Sequence, residues 1–458
     1  MNRRWRWVAG VATLFIAASA LAIPAYRSHR RSVHIRTLIG GLSQDMGGLR
    51  ATELKSMGQE AVPFLMAAAP TPDGFFAVRI LGEMSATETI EPLLDLYRQD
   101  ERGYAAVPAA MKTMGPPGAA AVLERLRRGQ PEFIWFAGNL CGPEATPHLA
   151  KFAAVPGQSD EYYERCATAL GETGDPAAAE PLVALLGRSS EVDGYARYAL
   201  VLLGTGAGPA CARALQTEKR EAVLNLLMSV VAEAGMKDAA PVLAQFVGGA
   251  DGPWNDRRRG AFFALCRLPD TGQADLFWHL LRRFPNDGNE RYAAAIGLGN
   301  AGDARAEPLI RQYYKEMTAI WSPSVPCEAM ARCRSEASLD FLLSLLEKHQ
   351  GDPGQQRHVL KALGYCQSAR AAQAVHTWLK AHMPAPESRG GQGAALDMCL
   401  ENAVGSLGGL GYVEALPELR TLLNVRVHSI CGRDDPNYPY RNFAANAIGD
   451  IERAKTPR

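Results

Sequence analysis

The stretch from Cys166 to Leu186, CATALGETGDPAAAEPLVALL, constrains this chain more than any other. Tyr163, Cys166, Ala167 and Leu170 recur at helical spacing, so the first half is a helix with one apolar stripe. Gly171 and Gly174 are expected to stop it, because glycine accepts the left-handed conformation in which helices end. Asp175 suits the cap of a second helix, and Pro176 its first turn, where no amide hydrogen is needed. Leu182, Leu185 and Leu186 form the second stripe. A pair of short helices cannot bury both stripes alone, so it requires copies of itself on either side.

The copies are present. The turn recurs at Leu81-Gly82, Met114-Gly115, Leu140-Cys141, Leu170-Gly171, Leu203-Gly204 and Ala234-Gly235, then at Leu298-Gly299, Leu363-Gly364, Leu407-Gly408 and Ile448-Gly449. Weaker copies stand near Met57-Gly58, Arg267-Leu268 and Arg332-Cys333. Between Cys141 and Gly364 the steps are 30 to 34 residues. A proline follows many of these turns, at Pro63, Pro92, Pro147, Pro181, Pro241, Pro308 and Pro417, where it opens the next helix at least cost. With 44 glycines and 29 prolines, disorder would be the alternative, but here they punctuate at the repeat interval.

The units LGETGDPAAAEPLVALL and LGNAGDARAEPLIRQYY resemble HEAT-like repeats of the phycobilisome-lyase type. The resemblance runs from about Met46 to the C-terminus and implies an all-α fold, an α-solenoid of about a dozen antiparallel helix pairs. Tetratricopeptide and ankyrin signatures are missing. The expected organisation is a signal or membrane-anchor segment at 1–31, a juxtamembrane linker at 32–45 and the solenoid at 46–458.

Charge separates the N-terminus from the rest. Residues 1–31 hold six arginines and no acid, so a chain of net charge +1 leaves a body of about −5. That balance argues against a nucleic-acid partner, which needs a basic face on the folded body. Arg3, Arg4 and Arg6 precede an apolar run from Trp7 to Ala25, long enough for a single membrane span. Ala20-Leu21-Ala22 offers a signal-peptidase site, whereas Arg27, Arg30 and Arg31 resist translocation. The expectation is a single-pass anchor with the body outside the cytoplasm; a cleaved signal and a secreted or periplasmic body is the alternative.

Partner binding is expected on the long connections between repeats. These are Gly248–Asp256 with Trp254, Ile320–Pro326 with Trp321, and the insertions at 384–395 and 425–440. Repeat proteins carry such insertions along one edge. The segment HSICGRDDPNYPY adds Asp434, Asp435, Tyr438 and Tyr440 to the candidate contacts. A solvated spacer is the plain alternative for these loops.

No catalytic or metal motif emerges. The nine cysteines contain no Cys-x-x-Cys pair; Cys166, Cys211 and Cys266 fall on apolar helix positions and read as small core residues. One bridge is left open, between Cys399 and Cys431; Cys333 and Cys366 stand a repeat apart, beyond comfortable reach. Deoxyhypusine hydroxylase, an iron enzyme built on similar repeats, binds metal through His-Glu pairs, and none of the nine histidines here precedes a glutamate. The run Arg257-Arg258-Arg259 reads as a solvated helix start. The expected function is a non-enzymatic, monomeric, membrane-tethered scaffold for a protein partner, without cofactor. A bilin-lyase-like maturation enzyme and a structural spacer are the alternatives.

Overall fold

A computed structural model of the chain describes residues 28–44, 48–71, 74–101, 104–248, 254–284, 288–384, 387–389, 394–428 and 439–455. These residues form two compact units, Met1–Leu203 and Gly204–Arg458. Both are helical, and about a dozen helix pairs follow one another among the described residues. In unit 1 the first helices of successive pairs pack side by side. Gly74–Glu83 lies on Val107–Met114, Ile134–Cys141 lies on Asp160–Glu172, and the latter lies on Ser190–Leu203. Unit 2 repeats the arrangement from Glu221–Ala234 through Asp256–Arg267, Gly288–Asn300, Ser324–Arg332, Pro353–Leu363 and Ala394–Gly409 to Pro439–Lys455. Second helices such as Ala179–Leu185 and Glu336–Lys348 pack against the first helices that follow them. Buried leucines and alanines, Leu170, Leu182, Ala196 and Leu200 among them, fill the space between the layers.

The link between the two helices of a pair has a local cause. Asp175 caps Pro176–Ala178 by accepting from the Ala177 amide at 2.9 Å, and Asp303 does the same for Arg305 at 3.0 Å. A single 3₁₀ turn then leads into the second helix, whose early residues include Pro181 or Pro308. Asp303 also accepts from Arg305 Nε at 2.9 Å and Trp278 Nε1 at 2.8 Å. The Arg305 side chain above all, and the Trp278 N–H with it, hold the Asp303 carboxyl down at about 2 against the opposing effect of burial. A depressed carboxylate stabilises the fold above its ordinary value near 3.8, and that contribution is lost as pH falls through about 2. The Asp303 carboxyl should therefore titrate near 2 by NMR, and Asp303→Asn should reduce the loss of stability in that window. A midpoint near 4 would show that the capping network is not formed.

The marker glycines differ in role: Gly174 takes the expected left-handed conformation at φ 65°, whereas the expectation that Gly171 stops its helix is corrected. Gly115, Gly204 and Gly235 do sit at φ of 70°, 60° and 65°. Gly82, Gly171, Gly299, Gly364 and Gly408 instead lie in the last turn or at the end of their helices, and the left-handed residue comes three positions later, at Ser85, Gly174, Gly302, Gln367 and Gly411. Their role is close approach. A Cβ on Gly82 would meet Ala110 Cα at 2.7 Å, and one on Gly171 would meet Ala199 Cβ at 2.7 Å. One on Gly299 would meet the Ala329 carbonyl oxygen at 2.7 Å, and one on Gly408 would meet Ala447 Cα at 2.9 Å. At these contacts neighbouring first helices approach so closely that only glycine fits.

Several other expectations change. Residues 32–45, read as a linker, are helical to 39, and Ile35, Leu38, Ile39 and Leu42 are buried. Their spacing is an i, i+3, i+4, i+7 stripe, so this segment belongs to the packed body. Arg31 and His34 bridge it to Glu60 and Glu53 at 2.9 and 2.8 Å. Arg258 is not solvated: it is 6% exposed, donates to the Val247 carbonyl and lies 5.4 Å from the Trp254 ring. The insertions at 384–395 and 425–440 meet in a short parallel pair, Glu387–Arg389 with Arg426–His428, in an otherwise helical unit. Two-residue-period patterning is absent there, so no strand is legible in the sequence.

The apolar run Trp7–Ala25 lies outside the described residues. Among those residues, Ser190–Thr217 is long and apolar enough to cross a membrane, with a mean hydropathy of 1.2 and 39% of its window buried. It consists of two repeat helices, Ser190–Leu203 and Gly208–Thr217, joined by a 3₁₀ turn. Core helices of soluble repeats share that composition.

Candidate partner-binding site

A row of polar side chains follows directly from the close approach of the first helices. Within each unit, polar residues beside several of these contacts reach across to the neighbouring helix. Lys55 pairs with Glu83 at 2.9 Å and Lys112 donates to Asn139 Oδ1 at 2.9 Å in unit 1. In unit 2 Arg332 donates to Asn300 Oδ1 at 2.8 Å and its guanidinium lies 4.3 Å from the Tyr365 ring. Asn300 in turn donates to the Cys266 carbonyl at 2.8 Å. The sequence carries part of this signal as Glu83, Glu172 and Asn300, which follow Gly82, Gly171 and Gly299, but nothing in a single sequence says which neighbour they meet.

In unit 1 the row opens into two adjoining depressions. One, of about 220 Å³, is lined by Ala109, Lys112, Trp135, Asn139 and Glu172 among others. The second, of about 490 Å³, shares Lys112, Asn139 and Leu140 and extends to Pro116, Cys141 and Glu144. Trp135 is 44% exposed, yet its orientation is fixed, because its indole N–H donates to the Tyr97 hydroxyl. Burial pushes the Tyr97 phenol up to about 12. Phe136 meets the Trp135 ring edge-on at 6.0 Å. Burial likewise raises the Glu172 carboxyl, with the Asn139 peptide group and the Lys112 ammonium pulling the other way. Glu172 Oε2 is buried and has no hydrogen-bond partner among the described residues.

Further apolar surface stands in the same layer. Tyr195, Tyr198 and Leu202 are 46%, 66% and 53% exposed and share one face of Ser190–Leu203 by their i, i+3, i+7 spacing. Between that helix and the one carrying Trp135 lies Asp160–Glu172. Its Arg165 is held by Glu101 at 2.7 Å and Glu161 at 2.9 Å.

The sites read from the sequence are distributed differently. Trp254 is half-buried, packs on Phe262 and Phe284 at 5.6 and 4.9 Å, and donates to Glu290 at 3.3 Å. Trp321 lies 6.4 Å from Phe263. Both tryptophans therefore gather around helix Asp256–Arg267, and each has an internal packing role. Asp434, Asp435 and Tyr438 lie outside the described residues; Tyr440 is in helix Pro439–Lys455, its side chain also outside them. Cys166, Cys211 and Cys266 are buried as expected, and burial lifts the first two thiols to about 12. Cys399 donates to the Pro353 carbonyl at 3.0 Å and has no disulfide partner among the described residues; Cys431 lies outside them. Sequence reading also missed His376, buried against Glu418 at 2.9 Å and 5.5 Å from the Tyr412 ring.

Comparison with known proteins locates the repeat directly. The PBS lyase HEAT-like repeat family matches residues 163–188 and 290–316. No curated protein sequence matches the chain. Among solved structures, human deoxyhypusine hydroxylase is similar at 17% identity, over 74% of this chain and all of that one, with a TM-score of 0.25. A structure from a study of cadherin and beta-catenin interaction matches at 10% identity over 91% of this chain and all of its own, with a TM-score of 0.26. A Kap121p mutant matches at 12% identity over 93% of this chain and 53% of its own, with a TM-score of 0.32. Scores of this size carry no argument about function. The fold rests on the helix pairs themselves and on the two matched units: this is a helical-repeat protein that carries PBS lyase HEAT-like repeats.

Proposed function

We propose that the chain is a non-enzymatic scaffold that binds a segment of a protein partner across the first helices of unit 1, tethered to a membrane through residues 7–25. The observation that carries this reading is the exposed apolar surface of one helix layer, Trp135 with Tyr195, Tyr198 and Leu202, beside open depressions. Large aromatics left accessible on a rigid layer are the usual anchors of a binding hot spot. The apolar run after Arg6 supports the tether. The connections between repeats that carry Trp254, Trp321, Asp434, Asp435, Tyr438 and Tyr440 are a second reading, supported by the pairing of two such connections through Glu387–Arg389 and Arg426–His428.

The test is cross-linking in intact cells followed by capture from solubilised membranes. Trp135→Ala combined with Tyr198→Ala should lower recovery of the cross-linked partner at least tenfold, since truncating a hot-spot residue costs about 2 kcal/mol. Helicity and melting temperature should remain unchanged. In the same assay, deletion of residues 1–31 should release the body into the soluble fraction. Undiminished recovery in the double variant would move the docking surface to the insertion edge.

A further inference from the structure

The polar row is closed in unit 2 and open in unit 1, and the closed part shows what the open part accepts. In unit 2 a guanidinium of the chain itself occupies the row. Arg332 donates to Asn300 Oδ1 at 2.8 Å, lies 3.5 Å from the Glu328 carboxylate and stands 4.3 Å from the Tyr365 ring. An acceptor on one helix and an aromatic ring on another thus hold one arginine. Unit 1 brings an acceptor and a ring together on two adjacent helices, Glu172 on Asp160–Glu172 and Trp135 on Ile134–Cys141, with open space between them. Glu172 follows Gly171 just as Asn300 follows Gly299, and it lines the depression of about 220 Å³ together with the exposed Trp135. Its Oε2 is buried with no hydrogen-bond partner among the described residues, and the Asn139 peptide group and Lys112 ammonium offset the burial of its carboxyl only in part, so a donor that reaches it adds stability. The nearest cation of the row, Lys112, already donates to Asn139.

We propose that the Glu172–Trp135 depression is an arginine pocket, which receives the guanidinium of one arginine in an exposed segment of the protein partner. Glu172 Oε2 accepts from the guanidinium, and the Trp135 ring, held in place by Tyr97, provides the stacking face. A planar guanidinium fits both roles: it donates in a fixed fork and stacks on aromatic rings, whereas an ammonium is a compact, strongly hydrated charge. The inference rests on the docking surface proposed above, and adds which chemistry that surface reads.

The probe is N-acetyl-arginine amide, with N-acetyl-citrulline amide as the uncharged isostere and N-acetyl-lysine amide as the point charge. The full chain is labelled with ¹⁵N-tryptophan, and the Trp135 indole signal is identified by its loss in Trp135→Phe. Millimolar arginine probe should shift that signal in a saturable way, with at least fivefold weaker binding of the lysine probe and no saturable shift with citrulline. Glu172→Gln should weaken arginine binding at least fivefold and leave the circular dichroism spectrum unchanged. Equal shifts with arginine and citrulline, or full arginine binding to Glu172→Gln, would overturn the proposal. Partner capture separates this inference from the docking reading. Recovery lost in the Trp135 and Tyr198 double variant but retained in Glu172→Gln would leave the docking surface standing and remove the arginine pocket.

Discussion

Replacing Gly138 by alanine should destabilise unit 1 by about 3 kcal/mol, the upper part of the range for overpacking a tight contact. A Cβ at Gly138 would stand 1.9 Å from the Ala169 carbonyl oxygen and 2.7 Å from its carbon, and these are backbone atoms that cannot swing away. The helices Ile134–Cys141 and Asp160–Glu172 would have to separate, which breaks the line of contact on which Asn139 and Glu172 sit. For a unit of this size about 3 kcal/mol corresponds to a fall in melting temperature of roughly 6–12 °C. Gly194 provides the control. It lies within helix Ser190–Leu203, and a Cβ there would have nothing within 4 Å. Gly194→Ala should therefore stabilise the protein by about 0.5–1 kcal/mol, through a smaller loss of backbone entropy on folding. Thermal unfolding followed by circular dichroism compares the two directly. Effects of the same sign would mean that close approach is not what the glycine at 138 provides.

Phe262→Ala is expected to have the largest effect in unit 2, about 3–5 kcal/mol, the ordinary cost of truncating a fully buried phenylalanine. Phe262 is 0% exposed and its ring meets Trp254 at 5.6 Å, Phe263 at 5.7 Å and Phe277 at 6.5 Å. The consequence extends beyond the cavity. Trp254 is held by Phe262, Phe284, the Glu290 carboxylate and the Arg258 guanidinium together. With Phe262 removed, Trp254 should show red-shifted, more quenchable fluorescence in native conditions, alongside the fall in stability measured in urea. Loss of stability with unchanged Trp254 emission would show that the remaining three contacts suffice. Retention of full stability would contradict the packing of this helix. Because Trp254 is committed to these contacts, a binding role for it requires its outer edge alone, and Trp135 in unit 1 is the more accessible tryptophan.

Much of the architecture was legible in the amino-acid order because repeats are local. The pair around Cys166–Leu186, its Asp175 cap, the prolines opening second helices and the burial of Cys166 all depend on residues within one or two turns of each other. A residue pattern at helical spacing decides such features wherever the unit finally sits. The segment 32–45 shows the limit of local reasoning: its stripe Ile35, Leu38, Ile39 and Leu42 adjoins a basic, apolar N-terminus, and only its burial assigns it to the packed body.

What only the tertiary structure decided is which groups meet across helices. Gly82, Gly171 and Gly299 look like helix stops in one dimension, and only the stacked neighbour, which an added Cβ would meet at 2.7 Å, reveals them as contact points. The polar row from Lys112 through Asn139 to Glu172 joins residues about thirty positions apart, a distance that repeat periodicity permits but does not specify. Whether a tryptophan is an anchor or a core residue is equally a matter of its surroundings: Trp254 is enclosed by four aromatic and charged neighbours, while Trp135 is 44% exposed. Helix-forming tendency and capping act along the chain and are written in it. Close approach, unpaired acceptors and exposed rings arise from how neighbouring helices stack, and the stacking is decided by the sum of many weak contacts.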